Sequence, residues 1–244
     1  MDLPVSRIHD NRLSEIRRAE AFSHTEAYTN LELFEAGSWL SRPVKTIMDL
    51  MPHFREYQNF RGLDLGCGIG RNCIPVLCAL PGISKEMDCV DILPLAIAKL
   101  RENAEKYHVG GSVNGIVCAA DDYLIEENGY DLILGISVLE HLESVQTLQR
   151  KLHQIKAGLR TGGIACFVVN SGIEEHDKAT GAPLPVQFEI NLQTAELEQM
   201  LDAVFSEQEI LKRSTIHYQY DTYRESGIAV LDTDVLTFAV RKRS

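Results

Sequence analysis

One glycine-rich segment constrains this chain more than any other feature. Residues 63–72 read L-D-L-G-C-G-I-G-R-N, with an apolar strand pattern before them and a helix pattern after them. A strand, a tight turn and a helix start in this order present free backbone N–H groups to a ligand. The dinucleotide fingerprint G-x-G-x-x-G requires a small residue at its sixth place, where this chain has Arg71. We therefore predict a loop for a nucleotide-like ligand that lacks a pyrophosphate group.

Two aspartates flank this loop at positions that suit such a ligand. Asp64 stands just before the glycines, where a carboxylate would meet an ammonium group. Asp91 follows Gly66 by 25 residues and ends the second predicted strand. An acid at that point accepts hydrogen bonds from both hydroxyls of a ribose. The alternative for Asp91 is a surface residue that caps the helix starting at Pro94.

Strand and helix patterns alternate along the rest of the chain. We predict strands at 62–65, 87–91, 113–118, 131–137 and 164–169, and helices at 72–80, 94–107, 144–159 and 194–204. This alternation predicts a parallel sheet with right-handed crossovers. Two strand-like stretches then follow without a helix between them, at 207–220 and 235–241. They predict a final antiparallel hairpin.

The first part of the chain has a different pattern, with three helix-like pieces and no buried strand. One piece spans 10–19, a second is capped by Thr25, and a third spans 42–51. We predict that residues 1–58 form a helical cap of the same domain and that 59–244 form its core. The cap is rich in aromatic residues, which are Phe22, Tyr28, Phe34 and Trp39.

Composition narrows the classes of function. The chain has 244 residues and a net charge of −11 at pH 7. This charge disfavours proteins that bind phosphate backbones or anionic membranes, so we expect no nucleic acid and no membrane as a partner. Residues 1–12 carry charges and no apolar run, so we expect no secretory signal peptide. The six cysteines lack a disulfide-framework spacing, and we expect reduced, mostly buried thiols in a cytoplasmic monomer or homodimer.

Four segments in order resemble the class I S-adenosylmethionine-dependent methyltransferases. They read L-D-L-G-C-G-I-G, C-V-D-I, Y-D-L-I-L-G-I-S-V-L-E-H-L and L-R-T-G-G-I-A-C-F-V-V, and they span residues 60–170. The resemblance implies a Rossmann-like α/β fold with a seven-stranded sheet of order 3-2-1-4-5-7-6, in which strand 7 is antiparallel. Residues 70–72 (G-R-N) and 181–188 (G-A-P-L-P-V-Q-F) also resemble the tellurite-resistance methyltransferases, more weakly.

This resemblance implies S-adenosylmethionine as the cofactor and S-adenosylhomocysteine as the product. It implies a loop around the amino-acid part of the cofactor, Asp91 at the ribose, Ile92 at the adenine, and one acid after strand three at the adenine amino group. Asp121 and Asp122 both stand at that last place, and the sequence leaves the choice open. The full set of expected cofactor residues is Asp64, Gly66, Cys67, Gly68, Gly70, Asn72, Asp91, Ile92, Asp121, Asp122, Gly135 and Ser137.

Three further residues, His141, Tyr28 and Trp39, are candidates for the acceptor side of the site, and Arg42 is a further candidate on the cofactor side. His141 can take a proton from an acceptor, or it can be a loop histidine bonded to backbone. Arg42 can pair with the cofactor carboxylate, or it can be solvated. Tyr28 and Trp39 can roof the acceptor pocket, or they can dock the cap on the sheet.

Motifs that the chain lacks restrict the substrate. The place of the N/D-P-P-Y/F motif of nucleobase methylation holds residues 135–138, G-I-S-V. Metal-using relatives carry acids where this chain has Gly135 and Asn170, so we expect no metal. We expect methyl transfer to a small-molecule acceptor by in-line displacement. The alternatives are methylation of a chalcogen or a thiol, and a module that binds the cofactor without catalysis.

Overall fold

The computed structural model describes residues 5–224 and 227–243. A single twisted sheet carries strands in the order β3-β2-β1-β4-β5-β8-β7, and the short β6 pairs with β5 beside this path. Strands β1 to β5 are parallel, whereas β8 is antiparallel to both β5 and β7. The last strand of the chain therefore lies between β5 and β7, and the predicted order with an antiparallel seventh strand is confirmed.

The helices and strands alternate as the sequence predicts. The strands are β1 Asn59–Leu65, β2 Ser84–Asp91, β3 Val113–Val117, β4 Tyr130–Ile136, β5 Leu159–Asp177, β6 Pro183–Leu184, β7 Glu209–Arg224 and β8 Gly227–Arg241. The helices are α1 Val5–Asn30, α2 Lys45–Leu50, α3 Cys73–Cys78, α4 Pro94–Lys106, α5 Val145–Gly158 and α6 Thr194–Phe205.

Three sequence predictions of secondary structure are wrong. The predicted break before Thr25 does not exist, because α1 runs without interruption from Val5 to Asn30. The predicted fifth strand ends at 169, whereas β5 continues to Asp177 because β8 supplies antiparallel partners along that extension. The final hairpin is longer for the same reason, and β8 begins at Gly227 rather than at 235.

Apolar residues form one core on each face of the sheet. One cluster joins α3, α4 and the segment before β1, including Tyr28, Leu40 and Phe54. The other cluster joins α5 and α6 to the opposite face, with Phe167, Phe205 and Phe238 stacked together. The segment that precedes the sheet thus shares the core of the sheet. Four cysteines are buried as expected, but Cys78 is exposed and Cys118 is partly so.

Hydropathy of the helices bears on membrane insertion. Within the described ranges, no helix combines the length and the apolar character that a bilayer crossing requires.

Candidate cofactor and acceptor site

The glycine loop forms a tight turn between β1 and α3. Gly66, Gly68 and Gly70 have φ values of 67°, 52° and 102°, a region that side chains rarely adopt. The backbone N–H of Gly68 donates to Asp91 Oδ2 at 2.9 Å, and the N–H of Leu93 donates to Asp91 Oδ1 at 2.9 Å. Asp91 therefore joins the loop to the end of β2 and fixes the backbone of both.

Asp64 lies beneath this loop as a carboxylate without a hydrogen-bond donor. It is 1% exposed, and neither of its oxygens has a hydrogen-bond partner within the described residues. Burial raises the pKa of Asp64 to about 7, although the positive charge of Arg71 opposes that shift. A buried acceptor group without a donor is energetically costly. An ammonium group at the loop would satisfy it.

A cavity of about 300 Å³ opens at the carboxyl ends of β1, β2 and β4. Ligands of parallel α/β sheets bind at this edge. Seven of the predicted site residues line the cavity, namely Tyr28, Gly66, Asp91, Ile92, Asp121, Ser137 and His141. Asp122 is exposed and does not line it, so the structure distinguishes the two acids that the sequence left equivalent.

Helix α1 covers the cavity and contributes residues that the sequence analysis missed. Arg17 Nη2 lies 3.0 Å from Asp121 Oδ2, and Glu20 Oε2 lies 2.8 Å from His141 Nδ1. His24 also lines the cavity. Arg17, Glu20 and His24 are spaced by three and four residues, so they share one face of α1. The sequence analysis missed this face because it predicted a break before Thr25. Glu189, the fourth missed residue, lies in the loop between β6 and α6, where no sequence pattern indicates a site.

His141 is held between two carboxylates. Its Nδ1 lies 2.9 Å from Glu189 Oε2 as well as 2.8 Å from Glu20. Burial alone would lower the pKa of His141, but the hydrogen bonds to Glu189 and Glu20 outweigh it and raise the pKa to about 10. The ring is therefore an imidazolium at neutral pH. It can donate a hydrogen bond, but it cannot take a proton until it loses its own.

The same three residues meet the geometric requirement for a cation site. Potential ligand atoms of Glu20, His141 and Glu189 lie within 4.8 Å of one another. No local sequence pattern indicates this group, because its members come from α1, the turn after β4 and the loop before α6. The short contacts from His141 Nδ1 to both carboxylates, with Arg17 Nε 3.6 Å from Glu189 Oε1, already pair these charges as an ion-pair network.

Several predicted site residues lie away from the cavity. Arg42 is exposed and Trp39 is 47% exposed, and neither lines the cavity. The ring of Trp39 instead contacts the ring of Tyr28, with the two centroids 6.1 Å apart. The guanidinium carbon of Arg71 lies over the Trp39 ring, 5.4 Å from its centroid. The sequence analysis considered Arg71 only as the residue that breaks the dinucleotide fingerprint. In the structure its positive charge acts on Asp64.

Three other predicted residues have structural contacts. Asn72 Oδ1 accepts a hydrogen bond from the N–H of Val44, which ties the glycine loop to the start of α2. Cys67 and Gly135 are buried and do not line the cavity. Glycine at position 135 leaves room for neighbouring side chains, since a Cβ there would approach Phe167 Cδ1 to 3.3 Å.

Comparison with known proteins agrees with this arrangement. Residues 63–165 match the family model of a methyltransferase domain. No curated protein matches the chain in sequence.

Solved structures share the fold at low sequence identity. TehB from Haemophilus influenzae is 21% identical with a TM-score of 0.61, and the alignment covers 82% of this chain and 62% of TehB. A putative S-adenosylmethionine-dependent methyltransferase from Listeria monocytogenes is 17% identical with a TM-score of 0.55, covering 82% of this chain and 97% of that one. The [4+2]-cyclase SpnF is 14% identical with a TM-score of 0.58, covering 93% and 96%.

The matched segment contains the glycine loop, Asp91, Asp121 and His141. TehB is a methyltransferase of the tellurite-resistance type, so the weaker of the two sequence resemblances is also found among the structural neighbours. Residues 63–165 of this chain match a methyltransferase-domain model, and the chain has the fold of the S-adenosylmethionine-dependent methyltransferases.

Proposed function

We propose that this protein transfers a methyl group from S-adenosylmethionine to a small-molecule acceptor. The observation that carries the proposal is the shared cavity. Gly66, Asp91 and Asp121 line it together with His24, His141 and Glu189. The first three are groups expected for a nucleoside, and the last three are polar groups that a nucleoside does not require.

The residues of the loop fit the cofactor. The two oxygens of Asp64 that lack donors suit its ammonium group, directly or through water. Asp91 already accepts two backbone hydrogen bonds, and its remaining lone pairs are available to ribose hydroxyls. Ile92 is 54% exposed on the cavity, so an adenine ring would cover apolar surface there. Asp121 is placed to accept from the adenine amino group.

The chemistry required of the chain is modest. When bound, S-adenosylmethionine supplies a methyl group on a positively charged sulfur, a strong leaving group for in-line displacement by a nucleophile. The residues around the cavity then need to align the acceptor and keep water out. Helix α1 provides the water-excluding cover. In its charged form His141 can donate a hydrogen bond to the acceptor, and it can receive the acceptor's proton only after it has lost its own.

Methylation of a chalcogen or a thiol is a second candidate function. His141 is charged, and its hydrogen bonds lower the pKa of Glu20 to about 2, although burial opposes that change. Neither residue is then a strong base, which favours acceptors whose nucleophilic atom needs no base. A thiol acceptor reacts as its thiolate, so it must lose its proton to solvent before the transfer. The similarity in fold to TehB agrees with this candidate.

Calorimetry and a radioactive methyl-transfer screen together test the proposal. Wild-type protein should bind S-adenosylhomocysteine but not NAD, and it should label at least one acceptor among thiols, amines, phenols, selenite and tellurite. Asp91→Ala, which loses the paired ribose hydrogen bonds, serves as the control with weakened binding. Binding without transfer to any acceptor would leave a cofactor-binding module, and no binding would refute the cofactor itself.

A further inference from the structure

Strand β7 presents an unusually open edge. It is the terminal strand of the sheet, paired with β8 on one side only. Every residue from 215 to 221 is exposed. Three large side chains alternate along one face of this stretch, with Ile216 53%, Tyr218 49% and Tyr220 44% exposed. A long apolar edge with free backbone N–H and C=O groups is a site for pairing with another strand.

The exposed stretch lacks the features that protect edge strands. Lysine, proline and bulges are the usual protection. Residues 214–222 contain no lysine and no proline. The one register shift against β8 falls between Ile210 and Lys212, before the exposed stretch begins. The edge therefore remains regular and open over 215–221.

We infer that β7 is the interface of a homodimer, in which the β7 strands of two copies pair antiparallel. The occupant of this edge must present an open strand edge of similar length. Within residues 5–224 and 227–243, the other strands with an open edge are much shorter. Strand β3, at the opposite end of the sheet, has five residues, and β6 has two. Only β7 of a second copy matches the length of β7, and a two-fold axis makes the contact self-complementary.

The side chains select a register for this pairing. With the axis at Gln219, residues whose numbers sum to 438 face each other, and they lie on the same face of the sheet. Tyr218 then faces Tyr220 of the second copy, and aromatic pairs stabilise antiparallel strands. His217 and Asp221 keep the partners of their own chain, which are Asp232 and Asp234 for the histidine and Lys178 for the aspartate. The exposed tyrosines become buried against each other.

Sedimentation equilibrium tests the dimer independently of methyl transfer. The wild-type protein should have twice the chain mass of 27.3 kDa. Tyr218→Lys should be a monomer with the same affinity for S-adenosylhomocysteine, since residue 218 lies outside the cavity. His153→Lys, an exposed change on α5, should remain a dimer. A wild-type mass of 27.3 kDa at micromolar concentration would overturn the inference.

Cysteine cross-linking tests the register. In this register residue 219 of one copy faces residue 219 of the other, within disulfide reach. The Gln219→Cys variant should therefore form a covalent dimer under mild oxidation. Thr215→Cys faces residue 223 of the second copy and should not. Wild type, with its exposed Cys78, gives the background. A dimer in which Gln219→Cys fails to cross-link above that background would refute the paired β7 strands.

Discussion

Arg17 of α1 and Asp121 of the loop after β3 form an ion pair at 3.0 Å across the mouth of the cavity. Asp121 Oδ1 also accepts a hydrogen bond from the N–H of Glu143 at 3.0 Å. The same carboxylate thus holds the cover, orients the start of α5 and faces the cavity. An adenine amino group bound at Asp121 would share this carboxylate with Arg17.

Asp121 and its neighbour provide a matched pair of variants. Asp121→Ala should weaken S-adenosylhomocysteine binding by about 1.5–3 kcal/mol, the range for a hydrogen bond to a charged group. Asp122→Ala, at an exposed side chain, should leave the affinity unchanged. Calorimetry measures both. Equal losses in the two variants would argue against the assignment of the adenine contact to Asp121.

Asp91 should be the most sensitive position for cofactor affinity. Asp91→Ala should cost roughly 2–4 kcal/mol of binding, because paired charge-assisted bonds to the ribose are lost and do not simply add. This variant also removes acceptors for the N–H groups of Gly68 and Leu93, so the glycine loop should be less ordered. Asp91→Asn retains one acceptor oxygen and should lose less. Unchanged affinity in Asp91→Ala would remove the ribose assignment.

The ion pairs of His141 predict a pH dependence of stability. The pKa of His141 is raised from 6.5 to about 10, so its stabilisation is complete below about pH 6.5 and is lost as the pH rises towards 10. The pKa of Glu20 is lowered from 4.5 to about 2, so its stabilisation is present above pH 4.5 and is lost as the pH falls towards 2.

Thermal unfolding of His141→Gln against wild type measures this contribution. The substitution should cost about 3 kcal/mol near pH 6, as expected when one partner of a buried ion pair is removed. The difference between the two proteins should shrink as the pH rises from 6.5 to 10. A difference that stays constant over this range would contradict the charged state of His141.

Trp39 and Leu40 allow the two interpretations of the aromatic cap to be compared. Trp39 is 47% exposed and Leu40 is 1% exposed. Leu40→Ala should lower the free energy of unfolding by about 2–5 kcal/mol, as a buried truncation does. Trp39→Ala should cost clearly less, roughly 1 kcal/mol, while it loosens Tyr28 and Arg71 and lowers methyl transfer. A loss of stability as large as that of Leu40→Ala would make Trp39 a core anchor.

The cover formed by α1 should respond to the cofactor. We expect S-adenosylhomocysteine to slow limited proteolysis within residues 12–30, because a filled cavity holds Tyr28 and the ion pairs in place. The Asp91→Ala variant, at a ligand concentration that saturates only the wild type, gives the control. Equal cleavage rates with and without ligand in the wild type would mean that α1 does not act as a cover.

Chelation tests whether Glu20, His141 and Glu189 form an ion-pair network or a metal site. Treatment with EDTA should leave S-adenosylhomocysteine affinity and methyl transfer unchanged. Loss of transfer that magnesium, manganese or zinc restores would establish a metal site and would overturn the expectation based on Gly135 and Asn170.

The parts of this protein that follow from local sequence were predictable, and those that depend on distant contacts were not. The position of Asp91 followed from the strand that precedes it and from the glycine loop. The contact of Glu20 with His141 did not, because it requires α1 to pass Thr25 as a helix, and packing on the sheet decides that. The extension of β5 to Asp177 likewise depends on hydrogen bonds from β8. The loop position of Glu189 has no local signal.

Helix α1 is continuous, so it connects two residues that line the cavity, Glu20 beside His141 and Tyr28 beside the glycine loop. Glu20 and Tyr28 are eight residues apart, about 12 Å along one helix axis, so they move together as one rod. Tyr28 Oη stands over the glycine loop, only 2.7 Å from where a Cβ of residue 68 would be. A ligand that shifts α1 at Tyr28 should therefore change the contact of Glu20 with His141. Occupation of the loop and occupation of the space beside His141 should then be coupled, with each ligand changing the affinity for the other by the same factor.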